Sequence, residues 1–374
     1  MGVIGCGNIS AAYFRLAPLF RGIAMKACAD INMDAAKARA KEFDLRAETV
    51  EELLRDEEID IVVNLTIPAV HYAVSKEILD AGKHVYSEKP FVLSVEDGRD
   101  LRQRAEKADL RIGSAPDTFL GGAHQLARAL IDDGRLGRIT SGTAFVMSHG
   151  MEHWHPNPDF FFQVGGGPIL DLGPYYITDL IHLLGPVRRL SAFTNMARAE
   201  RVVTAPGPYQ GTTIKVGTPT TIHGVLEFHS GAIITIGASW DVASHGHHNI
   251  ELYGTDGTIY VPDPNFFGGD LVTADIEGTK TPVTPWEHPF GKANQGLDTD
   301  QPRANYRAAG LSDMMLSVEN GTTARCGIDV ALHTVDVMTS LLKAGESGQV
   351  LTLSTTCERP RALGPEEARA LLRA

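Results

Sequence analysis

Lys89 stands between Glu88 and Pro90 at the end of the strand-like run 84–88, a position from which an ammonium group can do chemistry. A lysine fixed by a proline beside a bound substrate polarises a hydroxyl and stabilises the negative charge that develops on its oxygen. A second stretch with chemical potential is Gly165-Gly166-Gly167-Pro168-Ile169-Leu170-Asp171-Leu172-Gly173-Pro174-Tyr175. Its glycines permit close approach of a ligand, and Pro174 suits the first turn of a helix. On that helix Tyr175, Asp179 and His182 fall at i, i+4 and i+7 and form one polar stripe. Ile177, Leu180, Ile181 and Leu184 occupy the opposite side. The third stretch is Gly5-Cys6-Gly7-Asn8-Ile9-Ser10, after a short apolar run. A glycine-rich turn between strand and helix lets backbone N–H groups approach a pyrophosphate. Asp30 ends the next apolar run, with Ile31 behind it. An acid about 20 residues past such a turn is placed to hold a ribose 2′-hydroxyl.

The elements that must position these residues alternate regularly in the first third of the chain. Helical spacing covers 9–22, 33–43, 50–55, 70–80 and 94–108, and strand-like runs cover 25–30, 60–66, 84–88 and 111–115. The β-branched run Asp60-Ile61-Val62-Val63-Asn64-Leu65-Thr66 reads as a parallel strand buried on both faces. This alternation predicts a doubly wound parallel sheet in an α/β protein. Ligands of such sheets sit beyond the carboxyl ends of the strands. Those ends carry Thr66 and Pro68 (with His71 beyond them), Glu88 and Lys89, and Asp117.

After Pro116 the rhythm changes to successive strands at 139–147, 190–196, 220–228, 232–240, 250–253 and 258–261, the mark of a mostly antiparallel sheet. Helices are expected at 123–133, 174–184, 304–319 and 328–344, with a long loop over 262–303. A chain of 374 residues exceeds the roughly 250–300 at which a single core stops growing. Two domains are therefore expected, 1–117 for the nucleotide and 118–374 for substrate and oligomerisation. Ile234, Ile236, Ala238 and Trp240 would leave one face of the second sheet apolar, so a homodimer or homotetramer built on that sheet is expected.

The net charge of −12 speaks against a nucleic-acid or anionic membrane partner, each of which calls for a basic patch. No apolar run nears the ~18 residues of a membrane span, and no leader pattern opens the chain. Four cysteines without CxxC spacing read as reduced thiols in a cytoplasmic protein. His149, Glu152, His153 and His155 lie among prolines and lack the helical spacing of a zinc motif, and His245, His247 and His248 lie in a turn, so no metal site is expected. Trp154, His155 and Phe160 to Phe162 read instead as pocket wall, on which a sugar ring would stack.

Three segments together resemble the Gfo/Idh/MocA oxidoreductases: Gly5 to Ser10, Ala81-Gly82-Lys83-His84-Val85-Tyr86-Ser87-Glu88-Lys89-Pro90, and Gly165 to Gly173. The resemblance implies a Rossmann domain followed by an α/β domain with an open sheet that often makes dimers. It also implies NAD(P)-dependent oxidation or reduction of sugars, polyols or related compounds, with Lys89 and Asp171 in the active site. Tyr175 stands where the family usually has a histidine, as in branches similar to glucose–fructose oxidoreductase, and this moves the proton-transfer role to the phenol. The expected activity is a dehydrogenase of a carbohydrate hydroxyl, in which Lys89 polarises the oxygen, Tyr175 takes the proton and Asp171 orients. Trp154, His155, Asp159, His182 and Asp117 are further expected substrate contacts. Gly5, Gly7, Asn8, Ile9, Asp30, Ile31, Thr66, Pro68, His71, Glu88 and Lys89 are expected at the cofactor. NAD is expected over NADP, because no arginine adjoins Asp30 and its carboxylate repels a 2′-phosphate. The same residues would also serve a glycosidase that oxidises its sugar transiently, or a sensor that binds without turnover.

Overall fold

Six short parallel strands organise the first part of the chain in the computed structural model, which describes residues 1–373. They are β1 (Gly2–Ile4), β2 (Ala27–Ala29), β3 (Arg46–Glu48), β4 (Ile61–Asn64), β5 (His84–Ser87) and β6 (Ile112–Ser114), in the order β3-β2-β1-β4-β5-β6. Helices α1 (Ser10–Leu16), α2 (Met33–Phe43), α3 (Val50–Arg55), α4 (His71–Asp80) and α5 (Val95–Ala108) make the crossovers. Every residue of β4 is buried, as its apolar sequence requires of an internal strand. The strand order reverses between β1 and β4, so the glycine turn and the Thr66 turn leave the sheet at its switch point.

Two details differ from the sequence expectation. Helix α1 ends at Leu16 and tightens into one 3-10 turn over Ala17–Leu19, because Pro18 has no N–H to continue the α ladder. Strand β3 gives no apolar signal. It is an edge strand paired only with β2, and Arg46 holds it through ion pairs to Glu48, Asp56 and Glu58.

The second sheet starts after α6 (Gly122–Asp132) with β7 (Ile139–Met147). Helices α7 (Pro168–Asp171) and α8 (Gly173–Leu184) follow, then β8 (Val187–Asn195) and a separate hairpin of β9 (Glu200–Val202) and β10 (Thr213–Lys215). The sheet continues with β11 (Thr221–Phe228), β12 (Ile233–Ser239), β13 (Ile250–Gly254), β14 (Thr258–Val261), β15 (Val272–Ala274) and β16 (Lys280–Pro282). The last two lie in the stretch expected as loop. They are short and polar, and they extend the sheet as an edge. Pairing is antiparallel throughout except between β7 and β12.

Ile234, Ile236, Ala238 and Trp240 are at most 1% exposed, which corrects the expectation that they form an open face. Ile234, Ile236 and Ala238 share the inner face with Ile222, Leu226 and Phe228, on which α7 packs, and Trp240, just past β12, packs against Phe161 and Phe162. The outer face carries the other parity of residues, and there Phe193, Ile233 and Val225 stay 80%, 49% and 41% exposed.

The chain then adds α9 (Ala309–Asn320), α10 (Ile328–Ser347), β17 (Leu351–Thr352) and α11 (Pro365–Leu371). It resolves into two units, the first made of residues 1–122, 287–335 and 360–374, the second of 123–286 and 336–359. The division expected after 117 lies near the first passage between units, and two later segments return to the Rossmann unit. There α9 packs on β6 so closely that a Cβ on Gly113 would meet Met314 Sδ at 2.6 Å. Arg325 ties the returning segments together through Asp313 and Glu367. Among the described residues no helix is long and apolar enough to cross a membrane, and all four cysteines are buried outside disulfides.

Candidate active site

The glycine turn is shaped by two different demands. Gly5 has φ +103°, and a Cβ there would sit 2.6 Å from the Leu65 carbonyl, so only glycine lets β1 leave the sheet beside β4. A Cβ on Gly7 would meet nothing within 4 Å, so a side chain there would instead fill the open space above the turn. Ser10, in place of a third glycine, is buried and closes the turn by donating its hydroxyl to the Gly7 carbonyl at 2.6 Å. Asn8 is exposed and Ile9 half-buried at the mouth of this cradle.

Asp30 lies beside the turn with both carboxylate oxygens fixed. Oδ2 accepts the Cys6 amide at 2.7 Å and Oδ1 accepts the Asn32 amide at 2.8 Å. Each oxygen keeps a lone pair for a ribose hydroxyl. Ile31 is fully exposed next to it, as a residue facing an adenine ring would be. An open glycine cradle with an aimed, preorganised acid fits a dinucleotide. Sequence spacing carries no sign of Arg39, which α2 brings to the turn with Nη2 3.5 Å from the Gly7 carbonyl and Nη1 on Glu42.

At the ends of β4 and β5 the backbone is braced from below. Asn64 is buried and its Oδ1 accepts from the Thr66 amide and hydroxyl, leaving Ile67 exposed and Pro68 half-buried at the tip. His71 is fully buried, with Nδ1 2.7 Å from the Pro90 carbonyl and Nε2 2.9 Å from the Thr66 carbonyl. It therefore joins the Thr66 turn to the lysine turn, while burial holds its pKa below the ordinary value. Glu88 is also buried. Its Oε2 accepts the Lys89 amide at 3.0 Å and its Oε1 accepts the Tyr13 hydroxyl at 3.0 Å. Lys89 itself is half-buried. Asp117 is 1% exposed and accepts the Gly310 amide at 3.1 Å, and burial pushes its pKa up to about 6.

In the second unit, the triple glycine connects an aromatic loop to the helix that starts with Pro168. The Gly167 amide donates to the Phe161 carbonyl at 2.7 Å, and the Asp171 amide to the Gly167 carbonyl at 3.0 Å. A Cβ on Gly166 would lie 2.4 Å from the Phe161 carbonyl, so glycine is required for this close approach. Trp154 is 63% and Phe160 44% exposed, and His155 sits edge-on to Trp154, Phe160 and Phe161. Asp159 is exposed and accepts from the Gln163 side chain. Asp171 is half-buried, and Tyr175 is 6% exposed at the start of α8.

Beneath the aromatic loop is a buried ion cluster that spacing could not reveal. Arg201 on β9 reaches Glu152 at 2.6 Å and also binds Asp241, with its guanidinium over the Phe162 ring. Met151, Phe162, Val203, Ile214 and Trp240 form the apolar core around it.

The expected polar stripe of α8 exists but turns inward, since this helix is buried on every side. Asp179 Oδ2 lies 3.0 Å from His124 Nδ1, and His124 Nε2 lies 2.9 Å from the Phe266 carbonyl. Burial opposes a charge on His124, but the Asp179 carboxylate prevails and raises its pKa. His182 meets Gln125 at 3.1 Å and Arg128 through Nδ1 at 3.4 Å. His182 and Asp179 thus join α8 to α6, where His124, Gln125 and Arg128 await them. Among the described residues no group of three or more His, Cys, Asp or Glu is arranged to hold a metal ion.

Comparison with known proteins agrees with this architecture. Residues 1–115 match the family described as oxidoreductase family, NAD-binding Rossmann fold, and residues 124–260 match the GFO/IDH/MocA C-terminal domain. The 1,5-anhydro-D-fructose reductase of Ensifer adhaerens is 25% identical over 311 residues, 82% of this chain and 84% of that protein. Levoglucosan dehydrogenase of Pseudarthrobacter phenanthrenivorans is 24% identical over 327 residues, 78% and 82% of the two chains. A solved structure of levoglucosan dehydrogenase in complex with NADH and L-sorbose superposes with a TM-score of 0.78 at 19% identity, covering 95% of this chain and 98% of that one. With both of its domains matched in order, this chain belongs to the Gfo/Idh/MocA family of oxidoreductases and carries its NAD-binding Rossmann fold.

Proposed function

We propose that this protein oxidises a secondary hydroxyl or lactol of a sugar, polyol or close relative, using NAD. The observation that carries the reading is the lysine turn. Lys89 stands at the carboxyl end of β5, its own amide held by Glu88 and the following Pro90 carbonyl held by His71. The named relatives that reduce or oxidise sugars support the substrate class.

Bound NAD supplies the hydride acceptor. The Gly5–Ile9 turn receives the pyrophosphate, and Asp30 the adenosine ribose. The Lys89 ammonium hydrogen-bonds the reacting oxygen and stabilises its developing negative charge. Tyr175 takes the hydroxyl proton on Oη in its phenolate form as the carbon–hydrogen bond breaks. Asp171 orients the substrate, and Trp154, His155 and Phe160 offer ring faces and edges to the apolar side of the sugar.

Asp30 also favours NAD over NADP by charge repulsion with a 2′-phosphate, and Arg39 is already engaged by Glu42. A second copy of this chain covers the outer face of the second sheet around Phe193, Val225 and Ile233. Sedimentation at micromolar concentration tests this pairing, and a monomer there would exclude it.

The decisive experiment mixes the purified protein with NAD and, in turn, levoglucosan, D-xylose, other aldoses, polyols and inositols, and follows NADH absorbance. Formation of NADH with at least one of them is the expected result. NADH binding without turnover across the whole set would overturn the dehydrogenase reading.

A further inference from the structure

Tyr13 is a fully buried tyrosine on the helix that the nucleotide turn begins, and the proposed chemistry does not use it. A phenylalanine would fill the same apolar space, so its hydroxyl calls for a separate reason. That hydroxyl donates to Glu88 Oε1 at 3.0 Å, across the width of the Rossmann unit in sequence. The other oxygen of the same carboxylate accepts the Lys89 amide at 3.0 Å. Glu88 thus stands as a two-ended link, with α1 on one side and the lysine turn on the other.

The groups facing this link are Glu88 and Asp117, both buried, and Arg307. Burial, together with the Glu88 and Asp117 carboxylates, pushes the Tyr13 phenol well above its ordinary pKa, against the pull of Arg307. The phenol therefore stays protonated, and the donor is present at every pH the enzyme meets. Without it, Glu88 Oε1 would lose its phenol donor, and a buried carboxylate left short of a donor turns toward other partners. The first partner released by such a turn is the Lys89 amide.

We infer that Tyr13 is a positioning residue for Lys89, acting through Glu88 to fix the lysine turn relative to the helix that follows the nucleotide cradle. The inference rests on the proposed role of Lys89 only for its effect on turnover. Its structural content is independent of that role. It also explains why one end of the strut sits on α1, since the nucleotide turn and the lysine then share one rigid frame.

The test uses the full-length protein with Tyr13→Phe, which keeps the ring, and Glu88→Gln as a second variant. Amide hydrogen exchange is read over the segment containing Ser87 to Val92, with α2 and α5 as internal references, and NADH binding is titrated by fluorescence. Tyr13→Phe should speed exchange at the Lys89 amide by about tenfold, as expected for loss of a hydrogen bond to a charged group. Exchange in α2 and α5 should stay unchanged, and the Kd of NADH should move by less than about threefold. A general loosening of the fold would instead raise exchange everywhere. With a sugar that supports turnover, kcat should fall by roughly tenfold with little change in the KM for NAD, and a substrate deuterium isotope effect should grow as hydride transfer slows. Combining Tyr13→Phe with Glu88→Gln should add little to the worse single variant, because both break one chain of bonds.

Unchanged Lys89 amide exchange in Tyr13→Phe would overturn the inference. Lys89→Met separates it from the catalytic reading. Loss of turnover in Lys89→Met alongside a silent Tyr13→Phe refutes the strut alone. Retained turnover in Lys89→Met refutes the lysine's role, while faster Lys89 amide exchange in Tyr13→Phe still upholds the strut.

Discussion

The carboxylate of Asp30 accepts the amide of Cys6 at 2.7 Å, so the acid that ends β2 also holds the turn that follows β1. One residue holds the cradle and is the proposed ribose contact. Asp30→Ala removes both functions, and loss of a charge-assisted hydrogen bond of ~1.5–3 kcal/mol should weaken NADH binding by roughly 10- to 100-fold. The same change should narrow the gap between NADH and NADPH, because the repelling charge is gone. Fluorescence titration with both nucleotides gives the answer, and an unaltered NADH affinity would deny Asp30 its role.

Tyr175→Phe keeps the ring that fills its buried place at the start of α8 and deletes only Oη. Folding and NADH binding should survive, while turnover drops by about 10²-fold or more, the scale for loss of a positioned proton acceptor. His182→Ala serves as the contrast. His182 is fully buried against Gln125 and Arg128, so its removal should lower the melting temperature. If Tyr175→Phe retains full activity, the proton goes elsewhere.

Asp117 makes a prediction about pH. Its pKa is near ~3.9 in an unfolded chain, and burial raises it to about 6 in the fold, against the opposing Arg307 charge and Gly310 amide. Between those values the folded state binds more proton than the unfolded one, so this group's contribution to stability falls as pH rises from about 4 to about 6. Asp117→Asn keeps an acceptor for the Gly310 amide and abolishes the titration. The variant should gain up to about 3 kcal/mol over the parent at neutral pH and nothing near pH ~4. Denaturant melts at the two pH values measure it, and an equal difference at both would refute the assignment.

Arg201 sits between two carboxylates, Glu152 and Asp241, with only 4% of its surface exposed. Arg201→Met leaves buried Glu152 and half-buried Asp241 without their cation and should cost roughly 3–5 kcal/mol. Trp154→Ala, by contrast, removes a largely exposed ring and should change stability by no more than about 0.5 kcal/mol. If the aromatic loop receives sugar, that second variant should raise the substrate KM while leaving the melting temperature alone. Equal melting temperatures for Arg201→Met and the parent would remove the cluster from the account of this loop's stability.

What can be read from sequence divides along physical lines. Helix α2 spans Met33–Phe43 and α5 ends at Ala108, as their apolar spacing and caps demand, and β4 appears where a β-branched run falls between polar ends. These signals are local. The inner face of β11, with Ile222, Leu226 and Phe228 buried and His223 exposed, follows from period-two alternation in the same way. Parity in β12 misleads because alternation says which residues share a face and not which face is covered. The stripe on α8 is legible as a pattern, but its partners His124, Gln125 and Arg128 come from another helix. Tyr13, Arg39 and Arg201 carry no local mark at all. Each matters through a residue distant in sequence, Glu88, Gly7 and Glu152 respectively.

The return of residues 287–335 and 360–374 to the Rossmann unit has a consequence for the protein's synthesis. As the chain emerges from the ribosome, β1 to β6 are made first, but α9 and the Arg325–Asp313 pair that cover the β6 side are made much later. The Leu371 carbonyl, which accepts the Arg21 amide, comes later still. Residues 123–286 reach the solvent as one continuous block in the meantime. The nucleotide half is begun before that block and completed after it, and until α9 is made its β6 flank offers Gly113 to chaperones, proteases and other nascent chains.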